Sequence, residues 1–390
     1  MINGYRIRQV RELARLTQAE LAEAVEITQS TIAQIESGRF LPSDSLIEAI
    51  ASRLGFPVSF FQREDPPNFP LGSLLFRSHV NIAADDRDEI CRLGQLEFEL
   101  LMILAKRVRN KIILRLPQLS DEPIDIVTAA QHTRDALSLS LDVPIPHLIK
   151  AVEQSGTIVL MLPAHFATCD AFSLWANVPS PQTAIEVKKP LIVLSGETPG
   201  DRLRSSLAHE LGHLVLHQAI RGIAREMEEE ANRFAAELLL PEVAMRKEIT
   251  IPVTLTSLSR LKPVWGVSIQ MLIRRAYDLQ IITERQYKYL FKQLVDHGWR
   301  IQEPIALKVE KPRALRQMAE IVYGKLGEPV NYQRLARDVD MHPHFVKRLV
   351  DIYATRQDYS IPTVKKHNEV ENLLQSGESG GVGMRKRPGI

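Results

Sequence analysis

The chain has 390 residues, 45% of them hydrophobic and 25% charged, which suits two or three soluble globular domains better than one. No apolar run approaches the ~18 residues of a membrane span, and the opening MINGYRIRQVRELARLTQ lacks the apolar core of a secretory signal. Net charge is +2, which by itself points to neither nucleic acid nor membrane; two cysteines, Cys91 and Cys169, argue against a disulfide framework and for a reducing cytoplasm.

Residues 5–56 read as a compact helical unit. Ile7, Val10, Leu13, Ala14 and Leu16 trace the face of a first helix. Thr17 caps a second, QAELAEAV, with Glu20 completing a capping box. Thr28 caps a third, QSTIAQIES, which Gly38 ends, and Ser43 opens a fourth with Leu46, Ile47, Ile50 and Leu54 inward. A helix, a short turn and a second helix carrying exposed Gln and Ser is what a major-groove reader requires. On the third helix Ile32 and Ile35 face the core, leaving Gln29, Ser30, Thr31 and Gln34 to reach base edges. Gln18, Ser37 and Arg39 are placed for phosphate contacts.

The segment LTQAELAEAVEITQSTIAQIESGRFLPSDSLIEAIASRLG resembles the Cro/CI-type (XRE) helix-turn-helix family in Thr17-Gln18, Leu21-Ala22, Thr28, Ile32, Ile35-Glu36, Gly38 and Pro42. That resemblance implies double-stranded operator DNA as a partner, bound by a homodimer. Glu26 departs from it: this turn position commonly holds Gly, so a residue with a Cβ must adopt a left-handed conformation at some cost. The competing reading is a four-helix protein-interaction module. Residues 1–60 carry six Arg, no Lys and seven acids, so phosphate attraction is weak and binding should be modest and dimer-dependent.

The Pro-rich stretch QREDPPNFPLG (62–72) reads as a linker. A long helix follows from Asp85 to about Asn110, and two shorter helical patterns precede Gly156. TIVLML (157–162), AFSLWANV (171–178), TAIEV (183–187) and LIVLS (191–195) are then strand-like, predicting a small, mostly antiparallel sheet. Helical period returns beyond Asp201 and persists to about Ala354; the Gly/Ser-rich end reads as disordered.

RSSLAHELGHLVLHQ carries the chemistry. His209 and His213, at i and i+4, project from one helix face about 6 Å apart, a spacing at which two imidazoles can share one Zn²⁺. Glu210 lies about 100° around the helix, placed to take a proton from an attacking water rather than to bind the metal. His217 extends the stripe but lies about 12 Å along the axis from His209, too far for one coordination sphere. A third ligand should come from the next helix, EMEEEANRFAAELLLP: Glu228 is preferred, with Glu229 and Glu230 left open. Asn232, one turn on, is placed to orient an imidazole. An amphipathic helix with incidental histidines is the alternative.

DRLRSSLAHELGHLVLH…EEEANRFAAELLLP resembles the ImmA/IrrE family of zinc-dependent metallopeptidases, and the resemblance extends over roughly residues 70–305. It implies a gluzincin-like core with His209, His213 and Glu228 as metal ligands, Glu210 as catalytic acid/base, and a repressor protein as substrate. AFSLWANV is a candidate edge strand for pairing with an extended peptide, or an ordinary core strand.

NYQRLARDVDMHPHFVKRLVDIYA (331–354) again reads helix, turn, helix, and residues 311–356 hold nine Lys/Arg against five acids. A plain helical bundle is the expectation there, with a second nucleic-acid contact as the alternative. The fold class is therefore α+β and predominantly helical. The division is 1–61 helix-turn-helix, 62–120 linker and long helix, 121–245 metallopeptidase core, 246–365 helical region and 366–390 disordered tail. The functional expectation is a cytoplasmic DNA-binding regulator with a zinc endopeptidase domain that cuts a repressor-type protein, a partner or itself. The alternative is a repressor whose peptidase-like domain is a silent sensor or partner-binding module.

Overall fold

The computed structural model describes residues 1–66, 84–108, 114, 116, 125–163, 171–179, 186–196, 198–217, 225–324, 329–360 and 362–365. Four short helices come first: α1 (Gly4–Leu13), α2 (Gln18–Ala24), α3 (Gln29–Glu36) and α4 (Asp44–Leu54). Each starts at a side-chain cap, where Asn3, Thr17, Thr28 and Ser43 accept the N–H of Tyr5, Glu20, Thr31 and Leu46. Such caps contribute about 1 kcal/mol apiece, which matters for helices of two or three turns. Glu26 takes up the left-handed turn position at φ 57°.

The long helix α5 (Ala84–Val108) receives this unit. Ile7 and Val10 share a core with Leu93, Leu96 and Leu100, and the charges at the seam are paired. Arg92 donates to Glu12 at 2.6 Å; Arg6 and Arg63 converge on Glu99 at 2.7 and 2.6 Å.

Helices α6 (Ile126–Ala136) and α7 (Leu148–Gln154) lead into a sheet of β1 (Ile158–Leu162), β2 (Ala171–Pro179) and β3 (Glu186–Ser195). The order is β1-β3-β2, with a longer antiparallel β2–β3 ladder and a shorter parallel β1–β3 ladder. Two of the expected strands are one: from Glu186 the chain runs extended through Pro190 to Ser195, while residues 183–185 lie outside the described residues. Pro190 fits inside this central strand because β1 pairing begins only at Leu191, so Pro190 faces a partner on the β2 side alone.

The rest is helical: α8 (Gly200–Leu216), α9 (Arg225–Leu239), α10 (Glu242–Glu248), α11 (Leu255–Trp265), α12 (Ile269–Asp278), α13 (Glu284–Asp296), α14 (Ala314–Tyr323), α15 (Tyr332–Asp338), α16 (Pro343–Asp351) and α17 (Arg356–Ser360). The protein is thus α+β and predominantly helical, as its periodicities predict. The sheet separates two cores. Ile158, Leu160, Phe172 and Leu191 pack with α1–α5 and α14–α16; Val159, Met161, Ile192 and Leu194 pack with α6–α13. The linker centre (67–83) and the tail (366–390) lie outside the described residues.

Candidate metal centre and nucleic-acid interface

Helix α8 buries Leu203, Leu207, Leu211 and Leu214 in the second core, which leaves the His209–His213 stripe facing α9. Gly212 sets how closely the two helices approach: a Cβ there would stand 3.0 Å from Phe234 Cδ1 and 3.3 Å from the Ala231 Cα. Across this contact, Glu228 brings Oε2 within 3.2 Å of His209 Nε2 and Oε1 within 3.3 Å of His213 Nε2. The two Nε2 atoms are 3.0 Å apart. One ligand atom from each of these residues lies within 4.8 Å of the others, the spacing of a metal's coordination sphere.

The hydrogen bonds behind the imidazoles decide what their inner nitrogens carry. His209 Nδ1 is 3.0 Å from Asn232 Oδ1, which only accepts, so Nδ1 holds the proton and the neutral ring turns a lone pair inward. His213 Nδ1 is 3.0 Å from His217 Nδ1, and His217 Nε2 is 2.9 Å from Glu230 Oε2. Glu230 accepts from His217 Nε2–H, His217 Nδ1 accepts from His213 Nδ1–H, and His213 Nε2 is left as a second inward lone pair. Two nitrogen lone pairs and a carboxylate thus face one point, where only a cation relieves their repulsion. The donor set fits Zn²⁺.

Charge follows the same logic. A proton on an Nε2 atom serves the same end as a metal cation: burial works to raise the Glu228 carboxyl, but hydrogen bonds and positive charge from protonated His209 and His213 hold it well below its ordinary range. Burial works to lower the His209 imidazole, and Glu228, Glu210 and Asn232 outweigh it to give a net rise. Of the two acids left open as ligands, Glu229 pairs with Arg225 at the surface, and Glu230 bonds His217 behind the centre. The buried Glu210 takes a 2.6 Å hydrogen bond from Ser173 Oγ on β2. Ser173 was not legible in the sequence, because strand alternation fixes a side chain's face but not the helix residue opposite it.

In the N-terminal unit α3 buries Ile32 and Ile35. Gln29, Ser30, Gln34, Ser37 and Arg39 are exposed, and Thr31 and Gln18 are half-buried. Gln29 Nε2 donates to Gln18 Oε1, and Gln18 Nε2 donates to Glu36, both at 2.8 Å. Thr28 Oγ1 lies 2.8 Å from the hydroxyls of both Ser30 and Thr31, and Ser37 Oγ donates to Gln34 O. Arg11, invisible to patterning, clamps Glu36 at 2.6 Å and so ties α3 to α1.

Residues 7–61 match the helix-turn-helix family model, and residues 155–277 match that of the IrrE N-terminal-like domain, an M78 peptidase family. The chain joins a helix-turn-helix domain to an IrrE-like domain. The IrrE-like match runs from the sheet through α12 and contains His209, Glu210, His213, Glu228 and Asn232. An immunity repressor protein of Bacillus phage phi105 is 42% identical over 65 residues, 17% of this chain and 45% of the phage protein. The chain therefore spans less than half the length of this curated relative. A Bacillus thuringiensis PlcR structure, solved with the peptide PapR7 and DNA, aligns over 98% of this chain and 99% of that one. At 14% identity and a TM-score of 0.15, that likeness carries no argument. Among the described residues no helix of the chain is long and apolar enough to cross a membrane.

Proposed function

We propose that the chain is a cytoplasmic DNA-binding regulator whose IrrE-like domain is a zinc-dependent endopeptidase acting on a repressor-type protein, either a partner or the chain itself. The observation that carries this reading is the convergence of His209 Nε2, His213 Nε2 and a Glu228 oxygen, with both imidazoles held in the ligating tautomer from behind. Zn²⁺ bound there supplies Lewis acidity to a carbonyl and to water. Glu210 takes the attacking water's proton and returns it to the leaving amine, while Ser173 holds the carboxylate in place. β2, at the sheet edge among the described strands and packed beside α8, is the strand available to pair with an extended substrate.

In the N-terminal unit, Gln29, Ser30, Thr31 and Gln34 read base edges, and Gln18, Ser37 and Arg39 hold phosphates of an operator duplex. A second copy of the chain completes the palindromic contact. Residues 1–61, 121–245 and 246–365 are taken as the DNA-binding, catalytic and helical C-terminal parts.

Zinc content tests the metal centre. Native mass spectrometry of the purified chain should show one zinc per chain, lost in Glu228→Ala and retained in Glu229→Ala. Equal zinc in both variants would overturn the ligand set.

A further inference from the structure

Helices α15 and α16 repeat the α2–α3 unit position by position, at a constant offset of 314 residues. Asn331 caps α15 by accepting the Arg334 N–H at 2.9 Å, as Thr17 caps α2 by accepting the Glu20 N–H at 3.1 Å. Leu335, Ala336 and Val339 occupy the positions of Leu21, Ala22 and Val25. Asp340 is left-handed at φ 49° where Glu26 is at φ 57°. Met341 N–H then donates to Ala336 O at 3.0 Å, matching Ile27 to Ala22 O at 3.0 Å. Val346 and Leu349 of α16 are buried at the positions of Ile32 and Ile35. A plain bundle needs buried apolar faces, but it does not need this helix length, turn and register together.

The exposed face differs in charge. His344, Lys347 and Arg348 are exposed on α16 at the positions of Ser30, Ala33 and Gln34, and Arg334 and Arg337 replace Glu20 and Glu23 on the preceding helix. Helix α3 itself carries no Lys or Arg, the next along the chain being Arg39 beyond its end, whereas α16 presents Arg348 and Lys347, the latter paired with Asp351 at the end of the same helix. The two units are also neighbours. Phe345 of α16 meets Phe56, just after α4, edge-on with ring centroids 5.2 Å apart, and Arg63 donates to Val339 O at 3.0 Å.

We propose that residues 331–351 are a second helix-turn-helix whose cationic α16 face binds duplex DNA beside the segment read by α3. This rests on the reading that the N-terminal unit binds DNA. It gives one chain two points of attachment, one neutral and selective, the other electrostatic.

The test uses the full chain and a duplex that the wild type selects from a random-sequence pool, with affinity measured from low to physiological KCl. Lys347→Gln with Arg348→Gln should weaken binding roughly ten- to thirtyfold at physiological salt and reduce the slope of log affinity on log salt by about 1–2. The melting temperature should fall by about a degree or two at most, because Lys347 gives up only a surface pair with Asp351 and a contact over the Tyr332 ring, and Arg348 a contact over the Phe345 ring. Gln29→Ala with Gln34→Ala should abolish preference over a scrambled duplex and leave the slope intact. A slope and affinity unchanged in the Lys347/Arg348 variant would overturn the second unit while leaving the first standing. A wild type that retains no duplex would overturn both. Loss of binding in the Lys347/Arg348 variant alone, with Gln29/Gln34 silent, would support α16 and refute α3.

Discussion

Gly212→Ala separates the α8–α9 spacing from the stability of the fold. The new Cβ would meet the Ala231 Cα at 3.3 Å and Phe234 Cδ1 at 3.0 Å. Carbon pairs prefer about 3.5–4.0 Å, so relief needs a few tenths of an ångström. Ala231 Cα is backbone and the Phe234 ring is fully buried, so α9 must move as a body. Glu228, one turn before Ala231, moves with it. Metal–ligand distances tolerate about 0.2 Å, so the carboxylate leaves its position. Stability changes less: overpacking costs about 1–3 kcal/mol, and replacing a mid-helix glycine by alanine returns about 1 kcal/mol. The expected result is a melting temperature lowered by a few degrees at most, with zinc affinity down about tenfold or more in a competitive chelator titration. Wild-type zinc affinity in Gly212→Ala would refute the claim that this helix contact sets the ligand geometry.

Glu230→Ala removes the acceptor behind His217 and His213, and should weaken zinc about ten- to a hundredfold in the same titration, whereas Glu229→Ala should not. Glu310 is fully buried; burial works to raise its carboxyl, but Arg204 and then His147 bring it from 4.5 down to about 2. Its folded-state value is depressed, so its contribution, about 3 kcal/mol, is complete above pH 4.5 and lost as pH falls towards 2. The deficit of Glu310→Gln in denaturant titrations should therefore shrink from pH 6 to 3; a constant deficit would contradict the ion pair. Glu97 has the opposite sign: burial holds its carboxyl well above 4.5 beside the Tyr353 hydroxyl. Ionisation then disfavours the folded state as pH rises beyond 4.5, so Glu97→Gln should raise the melting temperature at pH 8 more than at pH 5.

What was legible in the sequence is what depends on neighbours along the chain. The caps at Thr17, Thr28 and Ser43, the left-handed Glu26 and the i, i+4 pair His209 and His213 are all local, and each has its expected backbone setting. Contacts between distant segments were not readable. Ser173 meets Glu210 only because β2 lies at the sheet edge under α8. The Glu230–His217–His213 chain depends on how α9 sits against α8, including a spacing that Gly212 permits and that periodicity does not reveal. The two runs around Pro190 looked like separate strands because proline normally interrupts pairing, and only the late start of the β1 ladder makes room for it. Residues 331–354 read as helix, turn, helix with a plain bundle as the expectation, because the left-handed Asp340 and the contact with Phe56 are not written in local periodicity.

The central claim is hydrolysis at the His209–His213–Glu228 centre with Glu210 moving the proton. It is tested most directly by incubating the zinc-loaded chain, wild type and Glu210→Gln, with repressors encoded beside its gene and with itself alone, then mapping new N-termini by mass spectrometry. The account predicts a discrete cut by the wild type that chelator abolishes, and none by Glu210→Gln at equal zinc content. Cleavage that survives Glu210→Gln, or a zinc-loaded wild type that cuts neither the repressors nor itself, would contradict it.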